Sequence, residues 1–495
     1  MTAKSNFMRK SLSLAILLFF GVFSIFSCQD DYDDIEVPNS LKINDFVWKG
    51  LNLYYYWQQD VPNLSDEKFN NQGELNGFLA NYSTPQSLFS DLLYQYSVTD
   101  KFSVIYSDYR LLEGTLNGIT TNNGVDYQLV RKSSSSDEVF GWVRYIIPNS
   151  YASTKAIQRG DIFYAIDGIP LSYASRNYNQ LLANQTYTLN LADYDNGNIT
   201  PNGRSVTLTK TQLTENPILM DNVYTYNQHK IGYLMYNGFY TAYDSQLNTI
   251  FGEFSSQGVT DLVIDLRYNS GGSVNTATRL ASMVNGKHSG EVFAKQEWNS
   301  KVMSYFQANN PENLVNRFTN SIGNQGINSL NLQTVYVLTS RASASASELL
   351  INGLKPYVNV VQIGDKTTGK NVGSITLYDS PSFNASGRSS SHTFAMQPIC
   401  FKVVNATGFG DYASGLLPTF EYQENLGNLG SLGNVNEPLL SIAIQKIIGS
   451  GRQMDNSHQK YELIKDSKSI RPLGTELYLD EVPFEALNIK FYEHQ

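Results

Sequence analysis

The 495-residue sequence predicts an α/β (α+β) fold, in which a core with a mixed β-sheet follows a helical segment and a β-rich region. Three patterns support this class. Apolar residues recur at helical spacing in residues 44–112, turn sequences punctuate residues 113–212, and short apolar runs alternate with helical patterns in residues 213–450. Because strands and helices that alternate bury their apolar faces against one another, we expect the last region to form a sheet covered by helices.

The helical segment, residues 44–112, is predicted from its periodicity and from a helix start. Apolar side chains fall at i, i+4, i+7 and i+8 counted from Val47, which places them on one face of a helix. Thr84 followed by Pro85 combines a capping side chain with a proline suited to the first helical turn. The aromatic run 54–57 is expected to pack in the core, and a carbohydrate-stacking platform is the alternative.

Residues 113–212 are predicted to be β-rich because Asn-Gly turns separate their β-prone runs. Within them, residues 157–171 (Ile-Gln-Arg-Gly-Asp-Ile-Phe-Tyr-Ala-Ile-Asp-Gly-Ile-Pro-Leu) resemble the core of a PDZ domain. PDZ domains bind an extended peptide by strand addition, so the resemblance implies capture of a protein C-terminus. The carboxylate-binding loop of such domains is not recognisable in residues 114–127, and a PDZ-like spacer without a ligand is the alternative.

Four apolar runs define the strands expected in the core, residues 213–450. Each run is short and rich in Val, Ile, Leu or Tyr, which is typical of strands buried in a sheet. The predicted strands cover residues 231–236, 262–266, 335–338 and 358–363.

The strongest candidate for covalent chemistry lies beside the last two of these strands. The run 343–348, Ser-Ala-Ser-Ala-Ser-Glu, separates a strand from a helical pattern, and Gly369-Lys370 follows the next strand. A serine at a strand-to-helix junction lies beside unused N–H groups of the first helical turn, which favour an oxyanion. Serine needs a base, and lysine serves when burial lowers its pKa. The pattern therefore indicates a nucleophilic serine with a lysine base; a flexible Ser/Ala linker and a surface lysine are the alternative.

The Ser-Ala-Ser-Ala-Ser-Glu motif followed by Gly-Lys resembles the signature of the C-terminal processing peptidases, also called tail-specific proteases. In that family the nucleophile is the serine two positions before the Ser-Glu pair, which corresponds to Ser345 here. The family's base corresponds to Lys370, 25 residues later. The resemblance extends over residues 100–445, with gaps, and implies a serine protease core.

A glycine turn carries the resemblance further. Residues 265–272, Asp-Leu-Arg-Tyr-Asn-Ser-Gly-Gly, end the second predicted core strand. In the family this turn lends a backbone N–H to the oxyanion hole, together with the N–H that follows the nucleophile. The resemblance therefore implies an oxyanion hole formed by Gly271 or Gly272 and Ala346.

The sequence departs from the family pattern at two places. Residues 415–418, Gly-Leu-Leu-Pro, resemble a late turn of the family, but Thr419 replaces its aspartate. Many relatives carry a glutamine or glutamate four residues after the lysine, where it orients the base, and this chain has Ser374. The resemblance thus implies a Ser–Lys dyad assisted by Ser374. A Ser–His–Asp triad of Ser345 with His392 is the alternative, although no pattern marks His392.

We expect neither a metal nor another cofactor, and no nucleic-acid partner. The five histidines show no zinc-binding spacing such as His-Glu-x-x-His. The net charge of −9, from 36 basic and 45 acidic residues without a basic cluster, argues against nucleic-acid binding. A hydrophobic content of 41% is too high for a disordered chain.

The N-terminus predicts export and a lipid anchor. A basic start precedes the apolar run 12–26, which is shorter than the about 20 residues that span a bilayer. Residues 25–28, Ile-Phe-Ser-Cys, resemble a bacterial lipobox, which implies cleavage before Cys28 and lipid on its sulfur. An ordinary signal peptide cut at this place is the alternative. The acidic run 29–34 is expected to act as a tether at the outer membrane, with surface display.

These predictions combine into one hypothesis, an exported, lipid-anchored bacterial serine endopeptidase that cleaves proteins or peptides through an acyl-enzyme on Ser345. The competing hypothesis is a catalytically silent envelope lipoprotein that binds peptides or carbohydrate. The predicted domains are a signal peptide (1–27), an acidic lipoprotein tether (28–43), a helical domain (44–112), a PDZ-like domain (113–212), a serine protease core (213–450) and a C-terminal extension without a motif (451–495).

Overall fold

The computed structural model describes residues 35–450, 459–471 and 473–480. The predicted signal peptide, its lipid-attachment residue Cys28 and the acidic run 29–34 lie outside these residues. None of the helices in the described ranges combines the length and the apolarity that a bilayer-spanning helix needs.

The N-terminal segment is helical, as predicted. Pro85 opens one helix, and the Thr84 hydroxyl caps it by accepting the N–H of Ser87 at 3.1 Å. Tyr54 and Tyr55 are buried, which favours core packing of the aromatic run over carbohydrate stacking. The elements of this segment are α1 (Lys42–Tyr54), α2 (Gln72–Leu79), α3 (Pro85–Asp91), β1 (Val104–Tyr106) and α4 (Tyr109–Leu116).

The next region is β-rich and builds six strands of a seven-stranded sheet, whose seventh strand is β25 (Glu462–Asp466). The strand order is β25-β3-β4-β6-β5-β7-β8. It has an apolar cluster of its own around Leu129, Val143, Phe163 and Leu208. Its PDZ character stays a prediction, as do the predicted domain boundaries. The elements here are β2 (Ile119–Asn122), β3 (Val125–Arg131), β4 (Glu138–Ile146), β5 (Ile162–Ile166), β6 (Ile169–Ser172), α5 (Tyr178–Leu181), β7 (Thr186–Asp195), β8 (Asn198–Thr209) and β9 (Thr211–Thr214).

The core contains a mixed six-stranded sheet in the order β10-β11-β12-β18-β19-β24, as the sequence predicts. Its four central strands are parallel and coincide with the four predicted ones. The elements up to the site are β10 (Ile218–Tyr226), β11 (His229–Tyr236), α6 (Asp244–Ser256), β12 (Asp261–Asp265), β13 (Gly272–Ser273), α7 (Val274–Val284), β14 (Val292–Trp298), α8 (Ser300–Asn309), β15 (Val315–Arg317), β16 (Ser321–Ile322), β17 (Gln325–Gly326) and β18 (Thr334–Thr339). The elements after it are α9 (Ala346–Leu354), β19 (Asn359–Gly364), β20 (Val372–Ser374), β21 (Leu377–Tyr378), β22 (Ala395–Gln397), β23 (Ile399–Asn405), β24 (Phe420–Glu421) and α10 (Pro438–Ile447).

Helices cover both faces of this sheet. Leu262 and Ile264 of β12 belong to the large apolar cluster that includes helices α6, α7 and α9. Val263, which points to the opposite face, belongs to a second cluster with Leu440 and Ile444 of α10. A strand that is buried on both faces reads as a continuous apolar run, and this is why the central strands were recognisable in the sequence.

The C-terminal extension, in which the sequence shows no motif, joins two sheets. β25 (Glu462–Asp466) pairs antiparallel with β3 and forms one edge of the seven-stranded sheet. β26 (Leu477–Tyr478) lies in a second core sheet of order β13-β26-β20-β23-β14-β15, parallel to both neighbours. The extension therefore runs from the β-rich region to the glycine turn of the core.

Candidate active site

Ser345 occupies a strained turn at the start of helix α9. Its φ is +61° and its ψ is −114°, a backbone conformation that residues other than glycine rarely adopt and that marks many functional sites. The helix begins at Ala346, whose N–H donates no hydrogen bond within the described residues. Ser345 is fully buried. The turn thus presents a serine hydroxyl beside an N–H that an oxyanion can use.

The two glycines of the turn after β12 lie beside this serine. Gly271 has a φ of +120°, and a Cβ atom there would lie 2.5 Å from Ser345 Cβ and 2.6 Å from Ser345 Oγ. Only glycine allows both the backbone angle and the close approach. The N–H of Gly271 donates to Asn269 Oδ1 at 2.9 Å, and the N–H of Gly272 donates to the carbonyl of Glu476 at 2.7 Å. Gly271 therefore lies against Ser345, but the N–H groups of both glycines are already engaged in this conformation.

Lys370 is fully buried in the loop before β20. Its Nζ forms an ion pair with Glu476 Oε1 at 3.2 Å and lies 4.3 Å from the ring centre of Phe102. Burial lowers the pKa of Lys370, while the nearby carboxylates of Glu476, Asp100 and Glu348 oppose that shift. A lysine with a lowered pKa has a larger neutral fraction at neutral pH, which is the form that can act as a base.

The carboxylate of Glu348, in the first turn of α9, joins the two candidate catalytic residues. Its Oε2 accepts the backbone N–H of Ser345 at 2.9 Å and that of Lys370 at 2.8 Å. Its Oε1 accepts the N–H of Gly369 at 2.6 Å and the hydroxyl of Thr367 at 2.5 Å. Burial raises the pKa of Glu348, and these four donors oppose the rise because they favour the carboxylate. The sequence motif contains this glutamate, but its spacing alone did not indicate that it contacts the lysine loop.

The late Gly-Leu-Leu-Pro turn supports the lysine loop. The N–H of Leu416 donates to the Thr367 hydroxyl at 2.7 Å, and the N–H of Thr367 donates to the Leu416 carbonyl at 3.2 Å. A Cβ at Gly415 would lie 2.2 Å from the Thr367 carbonyl oxygen, so this position also needs glycine. The structure thus brings the Ser-Glu, Gly-Lys and Gly-Leu-Leu-Pro motifs together through Glu348 and Thr367.

Ser374 is linked to Lys370 only indirectly, through the carboxylate of Glu476. Its hydroxyl donates to Glu476 Oε2 at 2.7 Å and accepts from Gln397 Nε2 at 3.0 Å. The carboxylate beside the lysine is therefore that of Glu476, which sequence reasoning missed. No sequence signal marks it, because it lies in the C-terminal extension, far from Lys370 in the chain.

His392 does not join Ser345. Its Nδ1 accepts the N–H of Phe394, and its Nε2 lies 2.9 Å from Asp379 Oδ2. The ring also lies against Phe46 of helix α1, with ring centres 6.4 Å apart. Across the described parts of the chain, no group of three or more His, Cys, Asp or Glu side chains is arranged to hold a metal ion.

Comparisons with known proteins relate the sequence and the fold of this chain to one family of peptidases. Residues 230–380 match the model of peptidase family S41, and residues 42–104 match that of the peptidase S41 N-terminal domain. The solved structure of an S41 protease candidate from Bacteroides fragilis NCTC 9343 is 27% identical with a TM-score of 0.62, and the match covers 82% of this chain and 98% of that one.

A sequence relative leads to the same class. A carboxyl-terminal-processing protease of Picosynechococcus sp. is 24% identical over 230 residues, which is 45% of this chain and 49% of the relative. The chain thus spans about half the length of that curated relative. The fold matches that of the S41 protease structure. The chain contains a peptidase S41 family domain and a peptidase S41 N-terminal domain, and carboxyl-terminal processing proteases are its homologues.

Proposed function

We propose that the protein is a serine endopeptidase that hydrolyses proteins or peptides with Ser345 as nucleophile and Lys370 as general base. The observation that supports this proposal most directly is that Glu348 Oε2 accepts the backbone N–H groups of both residues. Two residues separated by a strand and a helix are thereby fixed relative to each other. Such positioning is what an activated nucleophile requires.

The reaction proceeds in two halves. Neutral Lys370 Nζ takes the proton of Ser345 Oγ as the oxygen attacks the scissile carbonyl carbon, and the carbonyl oxygen becomes an oxyanion. The Lys370 ammonium then gives its proton to the leaving amine as the C–N bond breaks, which leaves an acyl-enzyme. Water attacks the ester, passes a proton to Lys370, and the Ser345 oxygen leaves and regains its proton. The N–H of Ala346 and that of Gly271 or Gly272 would stabilise the oxyanion in each half.

Export, anchoring and substrate delivery complete the proposal. The lipobox-like residues 25–28 support a protein held in the bacterial envelope by lipid on Cys28. The PDZ-like residues 157–171 support capture of a protein C-terminus by the β-rich region. The description of the relative as a carboxyl-terminal-processing protease agrees with such substrates.

Hydrolysis of an unstructured protein tests the assignment. Purified chain beginning after Cys28 is incubated with casein, and new amino termini are counted beside the variant Ser345→Ala. We expect the wild type to produce peptides and Ser345→Ala to produce none, with unchanged circular dichroism. Ser256→Ala, on the exposed side of helix α6, is the control that should keep the wild-type rate. Turnover by Ser345→Ala at the wild-type rate would overturn the assignment.

A further inference from the structure

The C-terminal extension lies directly on the candidate catalytic residues. Leu477 pairs with Gly272 of β13, and Tyr478 pairs with Ser374 of β20, so β26 fills the gap between these two strands. Besides the bond from Gly272, the N–H of Leu479 donates to the carbonyl of Ser374 at 3.2 Å. Main-chain bonds of this kind are those by which an extended peptide adds to a sheet.

The main chain of Glu476 is hydrogen-bonded to Gly272, one of the two glycines expected to donate to the oxyanion. Its carbonyl oxygen accepts the N–H of Gly272 at 2.7 Å. A Cβ placed on Gly271 would lie 2.5 Å from this carbonyl oxygen and 2.6 Å from Ser345 Oγ. The carbonyl and the serine hydroxyl therefore lie against the same side of Gly271, where the carbonyl of a scissile bond would have to come.

The side chain of Glu476 also contacts the proposed base, Lys370. One carboxylate oxygen lies 3.2 Å from Lys370 Nζ, and the other accepts the hydroxyl of Ser374 at 2.7 Å. A neighbouring carboxylate favours the ammonium form, which cannot accept the proton of a serine. Ser345 and Lys370 are both fully buried. One residue of the extension, Glu476, therefore contacts both the Gly272 N–H and the Lys370 amine, which the proposed reaction needs.

Polar contacts hold the extension at both ends. Asp480 accepts the hydroxyls of Ser273 and Thr241, each at 2.6 Å. On the other side, Lys468 Nζ donates to the carbonyls of Asn237 at 2.6 Å and Tyr268 at 3.0 Å. Leu477 is also fully buried in the large apolar cluster of the core, so withdrawal of the segment exchanges these polar contacts for water and exposes that side chain.

We propose that the gap between β13 and β20 is the site where an extended peptide binds beside Ser345, and that residues 473–480 fill it in this chain as an internal inhibitor. The inference rests on the proposed function. The ligand class is an extended peptide with an acidic side chain at the residue whose carbonyl meets the Gly272 N–H. Substrate enters when residues 473–480 withdraw.

The substitution Glu476→Gln tests the side-chain contact, because it keeps the size and removes the charge. We expect casein hydrolysis at neutral pH to be faster than in the wild type, because loss of the carboxylate lowers the pKa of Lys370 and increases its neutral fraction. Glu462→Gln makes the same chemical change on β25 of the same extension, where the carboxylate pairs with Arg131 near the surface, and should keep the wild-type rate. A slower Glu476→Gln enzyme would overturn the inhibitor assignment, because Glu476 would then be a positioning partner of Lys370.

A peptide added in trans tests the site itself. The acetylated peptide Leu-Gly-Thr-Glu-Leu-Tyr-Leu-Asp, which copies residues 473–480, should raise the KM of Glu476→Gln for casein without lowering kcat. The same peptide with glutamine in place of glutamate should inhibit more weakly. Absence of inhibition, or a fall in kcat at constant KM, contradicts binding at this site.

Hydrogen exchange separates this inference from the proposed function. If neither the wild type nor Glu476→Gln hydrolyses casein, the proposed function fails and the exchange rates alone decide the inference. Amides of residues 372–374 and 477–479 should exchange faster in Glu476→Gln than in the wild type, while those of Glu462→Gln should not change in these residues. Equal rates in Glu476→Gln and the wild type would overturn the inference.

Discussion

The backbone N–H groups of Ser345 and Lys370 donate to the same atom, Oε2 of Glu348, at 2.9 Å and 2.8 Å. A buried carboxylate normally costs free energy, and here four donors offset that cost. The strained turn of Ser345 and the lysine loop are therefore held by one group. Any change in that group should move both residues at once.

We predict that Glu348→Gln lowers kcat on casein by about 100-fold with little change in KM, since small misplacements of reacting groups cost about that factor. The amide nitrogen cannot accept the N–H groups that the carboxylate oxygens accept, so two donors lose their partner. Glu348→Asp should recover part of the rate. Glu253→Gln, an exposed glutamate on helix α6, is the control and should behave as wild type. A Glu348→Gln enzyme with normal kcat contradicts the prediction.

A second prediction concerns pH. Burial lowers the pKa of Lys370 below its ordinary value of 10.5, and the reaction needs the neutral amine. Activity should therefore rise with pH through the lowered pKa and stay high on the alkaline side. Lys370→Arg should be inactive at every pH tested, because guanidinium does not lose its proton. An active Lys370→Arg variant together with an inactive His392→Ala variant would contradict the assignment of Lys370 as the base.

The glycine turn gives a third prediction. Gly271→Ala should abolish hydrolysis, because the new Cβ would meet Ser345 Oγ at 2.6 Å and the Glu476 carbonyl at 2.5 Å. Gly290→Ala is the matched control: Gly290 also has a positive φ, of +86°, but its Cβ would meet no atom within 4 Å. This control should lose about 1–2 kcal/mol of unfolding free energy from the backbone conformation and keep its activity. Chemical denaturation and initial rates measure the two effects separately, and equal activities of the two variants would count against the predicted clash.

The fourth prediction concerns the membrane. Cells that express the full chain should carry it in the membrane fraction, with a diacylglyceryl group on Cys28, because two acyl chains suffice for stable anchoring. Cys28→Ser should move the protein to the soluble fraction without changing its rate on casein. Unchanged fractionation of Cys28→Ser would instead indicate that the apolar run 12–26 remains as an uncleaved anchor.

Local patterns in the sequence sufficed for the central sheet and for the two residues of the proposed dyad. The parallel strands β11, β12, β18 and β19 are buried on both faces. Their apolar runs could therefore be recognised in the sequence without knowing which strands they pair with. The serine turn and the Gly-Lys loop flank one strand and one helix, so their spacing is also a local property. The sequence determined these features because each depends on neighbours close along the chain.

Only the tertiary structure decided what surrounds these residues. Glu476 reaches Lys370 and Gly272 because β26 inserts between strands from two distant parts of the core, a pairing that no local pattern encodes. The carboxylate of Glu476 lies between Ser374 and Lys370 for the same reason: the Ser374 hydroxyl donates to one of its oxygens and Lys370 pairs with the other. The short strand β26 is held by main-chain bonds to strands that are distant in the chain and by burial of Leu477 in their core, so its place is settled only when the rest of the chain has folded around it.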